Sequence, residues 1–406
     1  MKLAFCQTNG WIGVKSGGLI AQRRCAEALA AAGHDVMAIV RLPDADFVEP
    51  QAQMDVLPAS AEGGTHYRQS RTALKRLGIP CEELTGGIRF RTAGVDVYAF
   101  GGSLEAFCAM MRTQLEKSSP DWIHVLEEDD GNPFLSTCLN VVDRRVIVHM
   151  HSVQCLPFGP LNIHGEDPER AAQLRSARGA VTPSNFSRTY IERHGGISPK
   201  VFPPVTYDPT LRPNVGRFGE GFITTINPSA IKGIAIFIAL ARALPELRFA
   251  AIPTWATSQA DLAALAGVPN ISILAAEDDV SKIYRQTAVL LAPAIWEETF
   301  GLTAIEAMSY GLPVIASDLG GHREAKLGVD YLVPTAPLQI KQVGDARELV
   351  VPEPDISEWA RIVARLFSDE REYVRVSTES HHAANEFIRT RSVQPFVQYM
   401  EQLSLG

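Results

Sequence analysis

Short apolar runs and amphipathic stretches alternate along this chain with a regular beat. Lys2–Gln7 is a compact apolar run that predicts a strand. Leu19–Ala32 has helical composition and stops at Gly33, and Asp35–Val40 predicts a second strand. A loop ending in the pair Gly17-Gly18 separates the first strand from the helix. Strand, glycine-rich loop, helix and strand open a doubly wound sheet. The dinucleotide pattern G-x-G-x-x-G is absent. From 41 to 120 proline, glycine and charge break the pattern, although Ser103–Leu115 reads as helix and Tyr67–Leu77 as a short basic helix with a solvated face. Strands then follow at 120–125 and 146–151, and Ala177–Ser187 reads as a strand with a helix start that Ser184 caps.

The rhythm restarts after a proline- and glycine-rich stretch at 207–219, which reads as a linker. Strands are expected at 222–227, 247–252, 271–274, 289–292 and 314–317. Helices are expected over 232–244, 258–266, 280–287 and from Leu302 to Gly311, with a strand end at 330–334 and a last helix over 392–403. The segment from Tyr331 to Pro354 carries no readable period beyond that strand end. Two doubly wound units are therefore expected: 1–206, a linker at 207–219, a second domain at 220–385, and a terminal helix within 386–406.

Composition narrows the function. The chain has 406 residues, 46% of them hydrophobic, enough for two cores. Net charge is −8, and residues 1–205 carry 21 Lys/Arg against 22 Asp/Glu, so neither half has the basic excess of a nucleic-acid or anionic-membrane surface. The six cysteines lie in the first half without a C-x-x-C pair and read as reduced cytosolic thiols, mostly in the core. No apolar stretch approaches the ~20 residues of a membrane span, and Met1-Lys2 leads straight into a strand. A cytoplasmic protein without signal peptide or transmembrane segment is expected, of unspecified oligomeric state.

Two carboxylates flank the helix start after the 289–294 run: Glu298 in the loop and Glu306 inside the helix. Carboxylates accept from sugar and ribose hydroxyls, and free amides at a helix start suit a diphosphate. The alternative is that both Glu residues only favour the positive helix end. The residues around them bear on that choice. Glu298, Phe300, Gly301, Glu306, Ala307, Met308, Gly311, Pro313, Val314, Ala316 and Ser317 resemble, in order and spacing, the C-terminal signature of retaining glycosyltransferase family 4. That family has the GT-B fold: two Rossmann-like domains facing a central cleft. Gly17 and Gly18 before the first helix, the Pro120–Val125 strand and the strand end at His151 resemble its N-terminal segments.

The resemblance implies a nucleotide-sugar donor, a UDP-sugar before GDP or ADP, and a retaining, metal-independent transfer to an acceptor hydroxyl with no bound cofactor. It implies that Glu306 holds ribose hydroxyls and Glu298 the donor sugar, while Lys232 and the amides of Phe300, Gly301 and Leu302 take the diphosphate. Gly17, Gly18 and His151 would close over the reacting centre. The family's diphosphate-binding Arg has no counterpart, since Asn227 or Pro228 stands at its position; either Asn227 and the loop amides suffice, or another Arg reaches in. The rival readings are a GT-B nucleotide-sugar epimerase and a degenerate nucleotide-sugar-binding protein. His149 and His151 are expected to face opposite ways, which disfavours a metal pair. Asp44-x-Asp46 imitates a metal-binding D-x-D in a proline-rich loop of the wrong architecture, and no metal site is expected.

Overall fold

The computed structural model describes residues 1–12, 16–41, 74–75, 77–127, 133–141, 145–205, 211–277, 279–343 and 346–405. Asp44 and Asp46, most of the Tyr67–Leu77 stretch and the first residues of the expected linker lie outside them. The described residues form two compact units, one of 1–205 with 391–405 and one of 211–390.

The first unit is built on a nine-stranded sheet. Its strands are β1 (Lys2–Gln7), β2 (Asp35–Arg41), β3 (Cys81–Leu84), β4 (Gly87–Thr92), β5 (Val95–Phe100), β6 (Trp122–Leu126), β7 (Val146–His149), β8 (Gly179–Thr182) and β9 (Lys200–Val201). The order is β3-β4-β5-β2-β1-β6-β7-β8-β9. All pairs are parallel except β3–β4 and β4–β5, which make an antiparallel edge. The sheet is covered on both faces. Ala4 and Cys6 of β1 enter one apolar cluster, and Leu3 and Phe5 enter the other. That is why its strands read as unbroken apolar runs. The helix Leu104–Ser118 starts where Ser103 accepts from the Ala106 amide at 3.2 Å, and Ser184 caps the helix Asn185–Gly195 in the same way at 3.1 Å.

The helix Gln394–Leu405 belongs to this unit. Its Phe396 packs against the rings of His124, His149 and Phe202, and Tyr399 Oη donates to the Ala180 carbonyl at 3.3 Å. Arg178 donates to the Leu403 carbonyl at 2.9 Å.

The second unit has six parallel strands: β10 (Phe222–Ile226), β11 (Phe249–Ile252), β12 (Ile271–Ile273), β13 (Thr287–Ala292), β14 (Val314–Ser317) and β15 (Leu332–Val333). Their order, β12-β11-β10-β13-β14-β15, is the doubly wound 3-2-1-4-5-6 arrangement. The expected strand over 314–317 is found with those bounds, and the helix over 258–266 appears as Gln259–Ala266, closed by a capping box between Ser258 and Asp261. The helix expected over 280–287 is shorter, Ser281–Tyr284, because Thr287 joins β13 and its hydroxyl bonds with Thr224 of β10 at 2.8 Å. Where no period was readable, an antiparallel hairpin forms from β16 (Gln339–Val343) and β17 (Ala346–Val350). Two further helices, Ser357–Ser368 and Glu370–Arg389, complete the unit. No described helix is long and apolar enough to cross a membrane.

Candidate functional site

The order of the second sheet reverses between β10 and β13. In an open parallel sheet the loops leaving the carboxyl ends of two such strands diverge and leave a crevice. The β10 loop carries Lys232, and the β13 loop carries Trp296 and Glu298. The two loops are stitched together by backbone: the Ile231 carbonyl accepts from the amides of Ile295 at 3.0 Å and Trp296 at 3.4 Å. Gly233 permits this approach. Its φ is +76°, and a Cβ there would overlap the Pro293 carbonyl oxygen.

The stitching brings three side chains together. The Lys232 ammonium pairs with Glu298 Oε1, and it lies 4.5 Å from the centroid of the Trp296 ring. The Trp296 indole N–H donates to the same Glu298 oxygen at 2.8 Å. Burial alone would push the Glu298 carboxyl up. The Lys232 ammonium, then His322, and the bonds from Lys232 and Trp296 outweigh it and hold the pKa below the ordinary value. Glu298 is therefore a carboxylate at neutral pH.

A second pair of glycines fixes the backbone of that carboxylate. The Gly321 amide donates to the Glu298 carbonyl at 2.5 Å, and a Cβ on Gly320 or Gly321 would overlap the carbonyl of Glu298 or Thr299. Gly301 then turns the chain into the helix Leu302–Ser309 with φ +107°. A Cβ on Gly301 would lie 2.7 Å from the His322 ring. Phe300 is buried and stacks on Phe387 at 6.0 Å. The helix thus starts four residues after Glu298, and its N-cap, Gly301, has no side chain with which to cap it. Glu306 lies further along this helix, half-buried, and its Oε2 accepts from Tyr284 Oη at 2.9 Å.

His322 was not legible as a site residue. Its ring is buried, and Nδ1 lies 3.1 Å from the Ser317 carbonyl oxygen. Burial lowers its pKa, against the pull of Glu298. Tyr284 and Trp296 were missed too. The local signal was the Gly320-Gly321 pair, immediately before the histidine. Lys326, which follows, points elsewhere: its buried ammonium donates to the carbonyls of Val314 at 2.5 Å and Asp330 at 2.7 Å, and burial lowers its pKa to about 7. Asn227, one of the alternatives for the absent Arg, has φ +61° and uses Oδ1 to accept from the Ala256 amide at 3.0 Å. That bond ties the β10 loop to the β11 loop.

Gly17, Gly18 and His151 lie in the first unit. Gly17 and Gly18 open the helix Gly17–Ala31 after β1. His151 follows β7, and its amide donates to Glu127 Oε1 at 2.6 Å, with Ser152 donating to the same oxygen. The expectation that His149 and His151 diverge is wrong. Residues two apart in an extended chain complete one pleat and share a face, and the two rings stack at 6.1 Å with 16° between planes. His149 Nε2 lies 3.2 Å from His124 Nδ1. Burial lowers all three pKa values, to about 3 for His124 and about 4 for His151, so the cluster is neutral at pH 7. Among the described residues no group of three His, Cys, Asp or Glu side chains is placed to hold a metal ion.

Residues 221–369 match the sequence model of the family Glycosyl transferases group 1. A 112-residue stretch is 32% identical to a D-inositol 3-phosphate glycosyltransferase of Streptomyces bingchenggensis, covering 27% of this chain and 21% of that protein. A 105-residue stretch is 36% identical to a phosphatidyl-myo-inositol mannosyltransferase of Mycobacterium leprae, covering 24% and 28%. The chain thus spans about a quarter of the length of these curated relatives. Among solved structures, Anabaena Alr3699/HepE in complex with UDP and glucose aligns over 100% of both chains with a TM-score of 0.64 at 16% identity. A sucrose-phosphate synthase from Thermosynechococcus elongatus aligns over 99% of this chain and 98% of its own, with a TM-score of 0.69 at 15% identity. The fold is the GT-B fold of these glycosyltransferases.

Proposed function

We infer that this chain is a retaining glycosyltransferase that moves a sugar from a nucleoside-diphosphate sugar to an acceptor hydroxyl. The observation that carries the reading is the Lys232–Glu298 pair at the switch point of the second sheet, with Glu298 one turn before the helix Leu302–Ser309. A cation, the amides of a helix start and a carboxylate are what a departing diphosphate and a sugar ring require. Lys232 and the amides of Phe300, Gly301 and Leu302 take the diphosphate, and Glu298 accepts from donor sugar hydroxyls. Glu306, held by Tyr284, accepts from the ribose. In the transfer the bond from the sugar C1 to the diphosphate oxygen breaks, and the acceptor oxygen bonds C1 on the same face. The acceptor proton passes to the departing phosphate, so no separate protein nucleophile or metal is required. The first unit supplies the acceptor side through Gly17, Gly18 and a neutral His151, and the second unit binds the donor. UDP is the first nucleotide to try, because the Anabaena neighbour was solved with UDP and glucose.

The test is a melting screen with UDP, GDP, ADP and dTDP on wild type and Glu306→Ala. A nucleotide at 100 times its Kd adds ~2.7 kcal/mol, a shift of roughly 5–10 °C for units of this size. One nucleotide should stabilise wild type and not the variant. Equal shifts in both sink the ribose role of Glu306, and no shift with any nucleotide sinks the donor reading. Proton NMR of the first product then reads the anomeric configuration, and inversion would refute the retaining mechanism.

A further inference from the structure

Lys232 has two demands on it. In this structure it neutralises Glu298, yet the reading above needs it on the diphosphate while Glu298 turns to sugar hydroxyls. An ammonium on a four-carbon stem, released from its carboxylate, is free to swing into water. One contact does not depend on Glu298: the face of the Trp296 ring, 4.5 Å from Nζ. The indole is itself fixed at both ends. Its backbone amide bonds to the Ile231 carbonyl, and its N–H donates to Glu298 at 2.8 Å.

Resting on that reading, we propose that Trp296 is a positioning residue: its ring face keeps the Lys232 ammonium at the diphosphate site while Glu298 exchanges the ammonium for the donor sugar. Its N–H keeps the carboxylate turned to the same side throughout. The single indole thereby lets the cation and the anion of the site separate without either one being lost to solvent. An aromatic face attracts an ammonium most when water is partly excluded, and the half-buried setting of Trp296, Lys232 and Glu298 meets that condition.

The experiment is calorimetric titration with whichever of UDP, GDP, ADP or dTDP stabilises wild type most, on wild type, Trp296→Phe and Trp296→Leu. Phenylalanine keeps a ring face and loses the N–H; leucine loses both. The expected result is that Trp296→Phe binds the diphosphate within about twofold of wild type while Trp296→Leu binds about five- to tenfold more weakly, the size of one partly desolvated cation–π contact. In a Lys232→Ala background the Leu substitution should change the Kd by less than about twofold, since there is no ammonium left to seat. That non-additivity is a readout that a merely structural tryptophan would not move. Leucine binding as tightly as wild type, phenylalanine as weak as leucine, or full additivity with Lys232→Ala each overturns the proposal and leaves the donor reading standing. If wild type binds none of the four, the donor reading falls and this one falls with it.

Discussion

The two units solve the same problem, polar groups buried at the carboxyl edge of a parallel sheet, with opposite chemistry. The second unit keeps its groups charged and pairs them: Lys232 on Glu298, with an indole serving both. The first stacks neutral imidazoles there: His124 on Phe5 at 4.4 Å, His149 on His151, with Phe396 closing the stack. A charge pair is stable away from water only while both members are present. A neutral imidazole stack is stable only while the pH keeps it neutral. One edge is therefore sensitive to substitution and to ligands, and the other to acid.

The largest effect expected from breaking the contrast is on transfer rate. Lys232→Ala removes the cation paired to Glu298 and should lower kcat by about 10²–10³, the ~2.7–4 kcal/mol typical of losing one anion-stabilising group. Steady-state kinetics with the donor identified in the melting screen checks this, and a loss under tenfold would move the diphosphate elsewhere. Next comes Gly233→Ala. The left-handed φ and the overlap with the Pro293 carbonyl should together cost roughly 2–4 kcal/mol, seen in urea unfolding as a lower midpoint. Gly267→Ala is the control, because its nearest neighbour would be 3.5 Å away at an ordinary φ; it should stay within about 0.5 kcal/mol.

The acid prediction follows in size. The folded pKa values of His124 and His151, about 3 and about 4, lie below the unfolded value of about 6.5. The stability they contribute is complete above pH ~6.5 and is lost as pH falls toward their folded values, because the unfolded chain binds the protons first. Thermal unfolding between pH 7 and 4.5 should show the first unit weakening, and His124→Phe should flatten that slope by up to ~1.4 kcal/mol per pH unit, one proton's worth. An unchanged slope would remove His124 from the account. Smallest is Tyr284→Phe, which deletes the hydroxyl that holds Glu306. The cost is one hydrogen bond to a charged group, ~1.5 kcal/mol, read as a roughly tenfold weaker nucleotide Kd with little change in kcat.

The doubly wound plan was legible because parallel strands covered on both faces must be apolar throughout. Val289–Ala292 and Val314–Ser317 leave no other reading. The edge β3–β4–β5 was not, since CEEL and GIRFRT are short, charged and partly exposed, with the sheet supplying what the local pattern lacks. The hairpin Gln339–Val350 hides for a related reason: most of its residues face solvent, so no apolar face advertises it. At the site, Glu298, Glu306 and Lys232 were legible through the family resemblance of the residues around them, since type and spacing alone left the bland reading open. Trp296, Tyr284 and His322 did not, because their contacts depend on the Ile231–Trp296 stitching and the Gly320–Gly321 turn rather than on any local pattern. The misjudged direction of His149 and His151 was a pleat-counting error.

The terminal helix Gln394–Leu405 gives the chain an unusual timetable. A ribosome delivers the first strands of unit one long before the second unit, yet the face formed by His124, His149 and Phe202 is not covered until Phe396 arrives. The described residues of the second unit, by contrast, all lie within 211–390 and have been delivered by the time residue 390 has emerged. The unit begun first is thus completed last, and a chain cut short before the final helix would carry a finished second unit beside an open-faced first one.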